Sequence, residues 1–139
     1  MTVDSPLVDA LVTSLAGHEG VVSAYLFGSE AQGRAHRESD VDVAVLLSRT
    51  VYPLAADRFE VRLRLTGQLQ AAVRREVDLV ILNDASPQLV RRIMTGGRRL
   101  LVTDPGVDHA HLRTMLSRAA DLEPFLKRTR AVKLAALAR

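Results

Sequence analysis

The chain's 139 residues fit one domain, and 47% apolar content is enough for a core that needs no staples. The absence of cysteine excludes disulfides, thiolate metal sites and a cysteine nucleophile. The net charge of +3 hides an asymmetry: residues 1–70 carry 6 basic and 9 acidic side chains, residues 71–139 carry 13 and 7.

In chain order, the first expected helix runs from about Pro6 to Ala16, with Leu7, Leu11 and Leu15 on one stripe beside Val8 and Val12. Gly17 is its expected stop. A strand rich in β-branched and aromatic residues follows, Val21 to Phe27, broken by Gly28. The next strand, Asp40 to Leu47, is so continuously apolar that burial on both faces is predicted. A long amphipathic helix is expected from about Leu54 to Arg75, with Phe59, Leu63, Thr66, Leu69 and Val73 facing inward. Then come a strand from Val77 to Leu82, a helix from Pro87 to Met94 ended by Gly96 and Gly97, and a strand from Arg98 to Val102. The last segment, Pro105 to about Ala138, reads as one long helix that Pro124 should kink or divide. Ser5-Pro6, Ser86-Pro87 and Asp104-Pro105 each place a capping side chain before a proline, which loses nothing at the first helical position. The order predicts a layered α/β or α+β domain, a small sheet flanked by helices. Residues 1–104 form its core and 105–139 a C-terminal helical extension of the same domain.

The stretch from Gly28 to Asp42 carries the chemistry. Asp40 and Asp42 are two apart at the start of a strand, so both carboxylates are expected on one face. Two such acids repel unless a cation lies between them, and a hard oxygen-seeking ion such as magnesium suits them. A lone Asp-x-Asp is otherwise only a pair of solvated strand-end acids. Asp78 interrupts the apolar run Val77–Leu82, where an unpaired charge is costly. On a neighbouring strand it would complete a cluster of three carboxylates; otherwise it sits at an exposed strand mouth or pairs with Arg74 or Arg75. Gly28 and Ser29 follow a strand, where glycine lets a phosphate approach the backbone and a hydroxyl can donate to it. Gly33 permits a turn after them.

Gly28, Ser29, Ala31, Gly33, Ser39, Asp40 and Asp42, with the later Val77-Asp78-Leu79-Val80, resemble the signature of the minimal nucleotidyltransferases of the DNA polymerase β-like superfamily. The resemblance covers about residues 5–102. It implies a small mixed sheet flanked by helices, and a reaction that moves a nucleoside monophosphate from a triphosphate. It also implies that Asp40 and Asp42 hold magnesium ions, in a two-metal site, and that Asp78 is the third metal-binding acid and a candidate general base. Gly28, Ser29, Gly33 and Ser39 would hold the nucleotide, with ATP as substrate. One departure is Gln32, where many members have arginine; Arg34 is the candidate to take over a phosphate contact.

Minimal members of this family are often the antitoxin of a pair whose toxin is a helical HEPN-type ribonuclease, which they silence by transferring AMP to a tyrosine. The chain holds a catalytic core, a terminal helix and little else, so a bulky partner is expected to supply the acceptor. The segment beyond Pro124, more basic and less regularly patterned than the stripe before it, is the candidate for that contact. Two other readings stay open: nucleotidylation of a small molecule such as an aminoglycoside, and an antitoxin that only masks its partner.

With no signal-like N-terminus and no apolar run of membrane-spanning length, a cytoplasmic protein without membrane contact is expected. Aromatic content of 4% leaves little for base stacking, so direct nucleic-acid binding is not expected. His18, His36, His109 and His111 form no zinc spacing, and Arg91, Arg92, Arg98 and Arg99 read as exposed helix and strand ends.

Overall fold

A computed structural model of the chain describes residues 5–28 and 40–137. The elements are α1 (Ser5–Ala16), β1 (Val21–Phe27), β2 (Val41–Leu47), α2 (Ala55–Val73), β3 (Val77–Ile81), a 3-10 turn (Leu82–Asp84), α3 (Pro87–Gly96), β4 (Arg98–Val102) and α4 (Pro105–Leu137). Four strands form one mixed sheet in the order β3-β2-β1-β4. β1 runs antiparallel to both β2 and β4, while β2 and β3 run parallel with α2 as their crossover.

β2 is buried on both faces, as its apolar run predicts. Val41, Val43, Val45 and Leu47 face one core with Leu7, Leu11 and Leu15 of α1 and Val61, Leu65 and Leu69 of α2. Ala44 and Leu46 face a second core with Val90, Ile93 and Met94 of α3 and Met115 of α4. In β1 the alternation slips, because the register shifts between Val21 and Ser23. Val21, Ala24 and Leu26 therefore join the first core, and Val22 and Tyr25 the second.

The caps at α3 and α4 form as expected. Ser86 Oγ accepts from the Leu89 N–H (3.3 Å), and Asp104 Oδ1 from the Val107 N–H (3.2 Å). Ser5 lies inside α1 as its first residue. One expectation needs correction. The inner face of α2 is Arg58, Val61, Leu65 and Leu69, while Phe59 and Leu63 are 53% and 60% exposed. Both sets have helical spacing, and the buried anchor at Arg58 decides between them. Its guanidinium donates to both Asp84 carboxylate oxygens (2.9 and 2.8 Å) and to the carbonyls of Tyr52 and Pro53. α4 runs on through Pro124 as one long helix, the undivided form of the expected segment. The carbonyl deprived of its partner belongs to Ala120, an exposed residue, so water can satisfy it.

Two buried polar contacts lock the strands to later segments of the chain. Asn83 continues the ladder beyond β3: its Oδ1 accepts from Leu47 N–H (2.8 Å) and its Nδ2 donates to Leu47 O (2.9 Å). Tyr25 donates its hydroxyl to the buried Asp108 carboxylate of α4 (2.7 Å). Burial is the main cause, and Asp108 the next, of a phenol pKa pushed up to about 12, with Arg99 partly offsetting both. The phenol is thus a fixed donor at any physiological pH. Among the described residues, no helix is long and apolar enough to cross a membrane.

Replacing Asn83 with alanine leaves two buried backbone groups of Leu47 unpaired. Asn83→Ala should cost about 2–4 kcal/mol in a urea denaturation experiment; a loss below about 0.5 kcal/mol would mean that water replaces the amide.

Candidate active site

One end of the sheet gathers the residues singled out in the sequence. The last residue of β1, Phe27, pairs with Asp42 near the start of β2, and Asp42 is in direct register with Asp78 near the start of β3. Residues in register on neighbouring strands point to the same side. For this pair it is the side of Ala44, Leu46 and Val80, facing α3 and α4. The two carboxylates are thus held side by side by backbone hydrogen bonds.

Asp42 is half-buried, whereas Asp40 and Asp78 are exposed. Asp78 therefore escapes the burial cost that its apolar strand suggests; it stands at the open mouth of the sheet. Its significance lies in its register with Asp42. The Asp42 carboxyl is pushed above the ordinary value of 3.8, by burial first, then by the charge of Asp78, then by that of Asp40. All three acids share one electrostatic field.

Gly28 closes the other side. It has φ +71°, a left-handed conformation that side chains rarely adopt. A Cβ there would run into the Asp42 carboxylate. Chain direction and close approach therefore both require glycine, so the turn after β1 packs its bare backbone against the central acid. Ser29, Gly33 and Ser39, the other expected nucleotide-binding residues, lie outside the described residues, as do Gln32, Arg34 and His36.

The acids do not form a closed metal cage. Among the described residues, no group of three or more His, Asp or Glu side chains stands close enough to hold a metal ion. The donor set still fits magnesium, which takes one or two carboxylates and fills its remaining positions with water and substrate phosphate. A half-buried carboxylate raised by two neighbouring negative charges is the environment that such a cation relieves.

The Polymerase beta, Nucleotidyltransferase family profile matches residues 10–106. The chain belongs to this family. The match takes in the later part of α1, all four strands and the three acids. Over 76 residues it is 42% identical to the protein adenylyltransferase MntA of Shewanella oneidensis, which is 55% of this chain and 50% of that protein. The match thus spans about half the length of that relative. A solved toxin–antitoxin with AMP-PNP is similar over 93% of this chain and 98% of its own, at 29% identity and a TM-score of 0.72. The toxin–antitoxin MntA–HepT is similar over 96% and 99%, at 25% identity and a TM-score of 0.68.

Arg98 and Arg99 start β4 at this same end and are exposed, paired with Leu26 and Tyr25. The Tyr25–Asp108 contact two residues behind Phe27 was not anticipated. Its signal was present, since Asp108, Leu112, Met115 and Ala119 are spaced 4, 3 and 4 apart on one helical face.

Gly28→Ala should fold, at a cost of about 1–2 kcal/mol for the left-handed backbone, yet lose about a hundredfold in nucleotide transfer because the Asp42 carboxylate must move. Parental turnover in that variant would contradict the cradle. A second expected outcome concerns pH. Asp42 titrates higher folded than unfolded, so the folded state holds a proton that the unfolded chain releases, and stability falls as pH rises through that interval. Without divalent cations, Asp78→Asn should melt above the parent at neutral pH. The difference should disappear on acidification below 3.8, the ordinary carboxyl value.

Proposed function

We propose that this nucleotidyltransferase transfers AMP from ATP to a tyrosine of a HEPN-type ribonuclease toxin, and that this modification neutralises the toxin. The observation that carries the reading is the in-register pair Asp42 and Asp78 against the bare backbone of Gly28. Supporting it are the identity to a protein adenylyltransferase and the likeness to a toxin–antitoxin with AMP-PNP.

In this reading each magnesium ion would be held by one or two of Asp40, Asp42 and Asp78, with water and substrate phosphate filling its remaining positions. The bound ion would neutralise charge on the phosphates and on the leaving oxygen, which is the main requirement of such transfers. Gly28, Ser29, Gly33 and Ser39 would hold the triphosphate. The acceptor hydroxyl oxygen forms a bond to the α-phosphorus while the bond to the bridging oxygen breaks, and pyrophosphate leaves. We assign the hydroxyl proton to Asp78, the exposed acid beside Asp42. The exposure of Asp40 and Asp78 leaves the site open to an acceptor as bulky as a protein. The toxin contact is placed on the outer half of α4, where Phe125, Val132, Leu134 and Leu137 are exposed among Lys127, Arg128, Arg130 and Lys133. Dependence on ATP places the action in the cytoplasm.

The test is incubation with labelled ATP, magnesium and a HEPN-type ribonuclease, the product of the neighbouring gene being the first to try, read by intact mass. The toxin should gain one or more AMP units, none with Asp42→Asn, and fewer with Phe125→Glu. A tight complex without transfer under any of the four triphosphates would replace this reading with masking; transfer only to a small-molecule acceptor would replace it with the antibiotic-type reaction.

A further inference from the structure

The end of the sheet opposite the acids carries a second polar feature. There the start of β1, the end of β2 and one face of α4 enclose a cleft of about 980 Å³. Asp42 and Leu47 are five residues apart on β2, roughly 17 Å at the usual strand rise. The cleft is therefore separate from the proposed transfer site.

Three basic side chains open into it: Arg49 from the loop after β2, and His111 and Arg118 from α4. His111 and Arg118 are seven apart, two turns along one helical face. The His111 ring is anchored by a 3.0 Å hydrogen bond to the Leu82 carbonyl. Its pKa lies below the ordinary 6.5, chiefly through burial, with the charges of Arg49 and Arg118 adding to the effect against that hydrogen bond and Asp108. The three groups therefore act on one another across a single space.

Among the described residues neither guanidinium makes an ion pair, though the charge of Arg49 reaches Asp84, whose carboxylate is held by Arg58. Arg49 makes one long hydrogen bond, 3.4 Å to the Asn83 carbonyl, and Arg118 makes no ion pair among the described residues. The acid on the cleft wall, Asp104, caps α4, and Asp108 behind it accepts the Tyr25 hydroxyl. The hydroxyls of Thr50 and Thr114 add neutral donors. Two guanidinium forks at one cleft suit phosphate oxygens, which they can bind in pairs. The volume lies within the range of small-ligand sites, about 300–1,000 Å³. Among the described residues, no Phe, Tyr or Trp lines the cleft, and the His111 ring is tied to the Leu82 carbonyl, so little is offered for stacking a base. A ligand here would be held by its charge.

We propose that this cleft binds a phosphate-chain ligand of small-molecule size, inorganic pyrophosphate or the triphosphate of a free nucleotide, at a site separate from that of transfer. The first probe is pyrophosphate, titrated calorimetrically into the whole protein in EDTA at moderate salt. One molecule should bind, and the His111 ring resonances should shift. Arg49→Gln with Arg118→Gln should weaken binding at least tenfold, while Asp42→Asn leaves it unchanged. Both arginines are exposed, so the variant should keep its melting temperature. An ATP arm separates the sources: competition with pyrophosphate means that nucleotides enter, and its absence restricts the site to the inorganic chain. The proposal is overturned if pyrophosphate does not bind, if binding survives loss of both arginines, or if Asp42→Asn abolishes it. A short single-stranded RNA displacing pyrophosphate at far lower concentration would also overturn it, in favour of a nucleic-acid surface. Failure of these outcomes leaves the transfer reading untouched, because that reading rests on the other end of the sheet.

Discussion

Asp42 and Asp78 repel each other, yet the β2–β3 ladder holds their backbones in register, so both side chains leave neighbouring strands on the same side of the sheet. The Asp42 carboxyl is raised by burial first, then by the charges of Asp78 and Asp40, and its ionisation is a stability cost at neutral pH. A charged pair kept side by side on rigid strands is preorganised for a cation and for phosphate oxygens. Little further movement is needed when those arrive, and preorganisation of this kind is the main source of rate in charge-stabilised reactions.

The rest of the molecule makes that cost tolerable. β2, which carries Asp42, is the strand packed on both faces, and its far end is pinned by the buried amide of Asn83. Arg58 ties α2 to the turn after β3 through Asp84, and to the loop after β2 through the carbonyls of Tyr52 and Pro53. Tyr25 ties β1 to α4 through Asp108, close to the turn at Gly28. The strained turn thus sits on an anchored strand, and the acids lie at the open end of the sheet, where substrate can reach them.

Much of this was legible in the sequence, for identifiable reasons. The unbroken apolar run of β2 implied burial on both faces, and an acid near the start of each of two such runs implied a pair 36 residues apart in sequence. What stayed hidden depended on partners far along the chain. The rotation of α2 turned on Arg58 reaching Asp84, and neither residue announces the other. Phe59 and Leu63 kept helical spacing but flank the buried face. Asp108 lay on the apolar face of α4, where a charge reads as a boundary until Tyr25 is seen to satisfy it. The Arg49–Arg118 cleft joins a loop to a helix 69 residues away, and no local pattern marks it.

The central claim is that a divalent cation relieves the Asp42–Asp78 repulsion. The most direct measurement is the melting temperature of the whole protein at neutral pH with and without magnesium, for the parent, Asp42→Asn and Asp78→Asn. Magnesium should raise it clearly in the parent and much less, or not at all, in either variant. An equal rise in all three, or none in the parent, would contradict the claim.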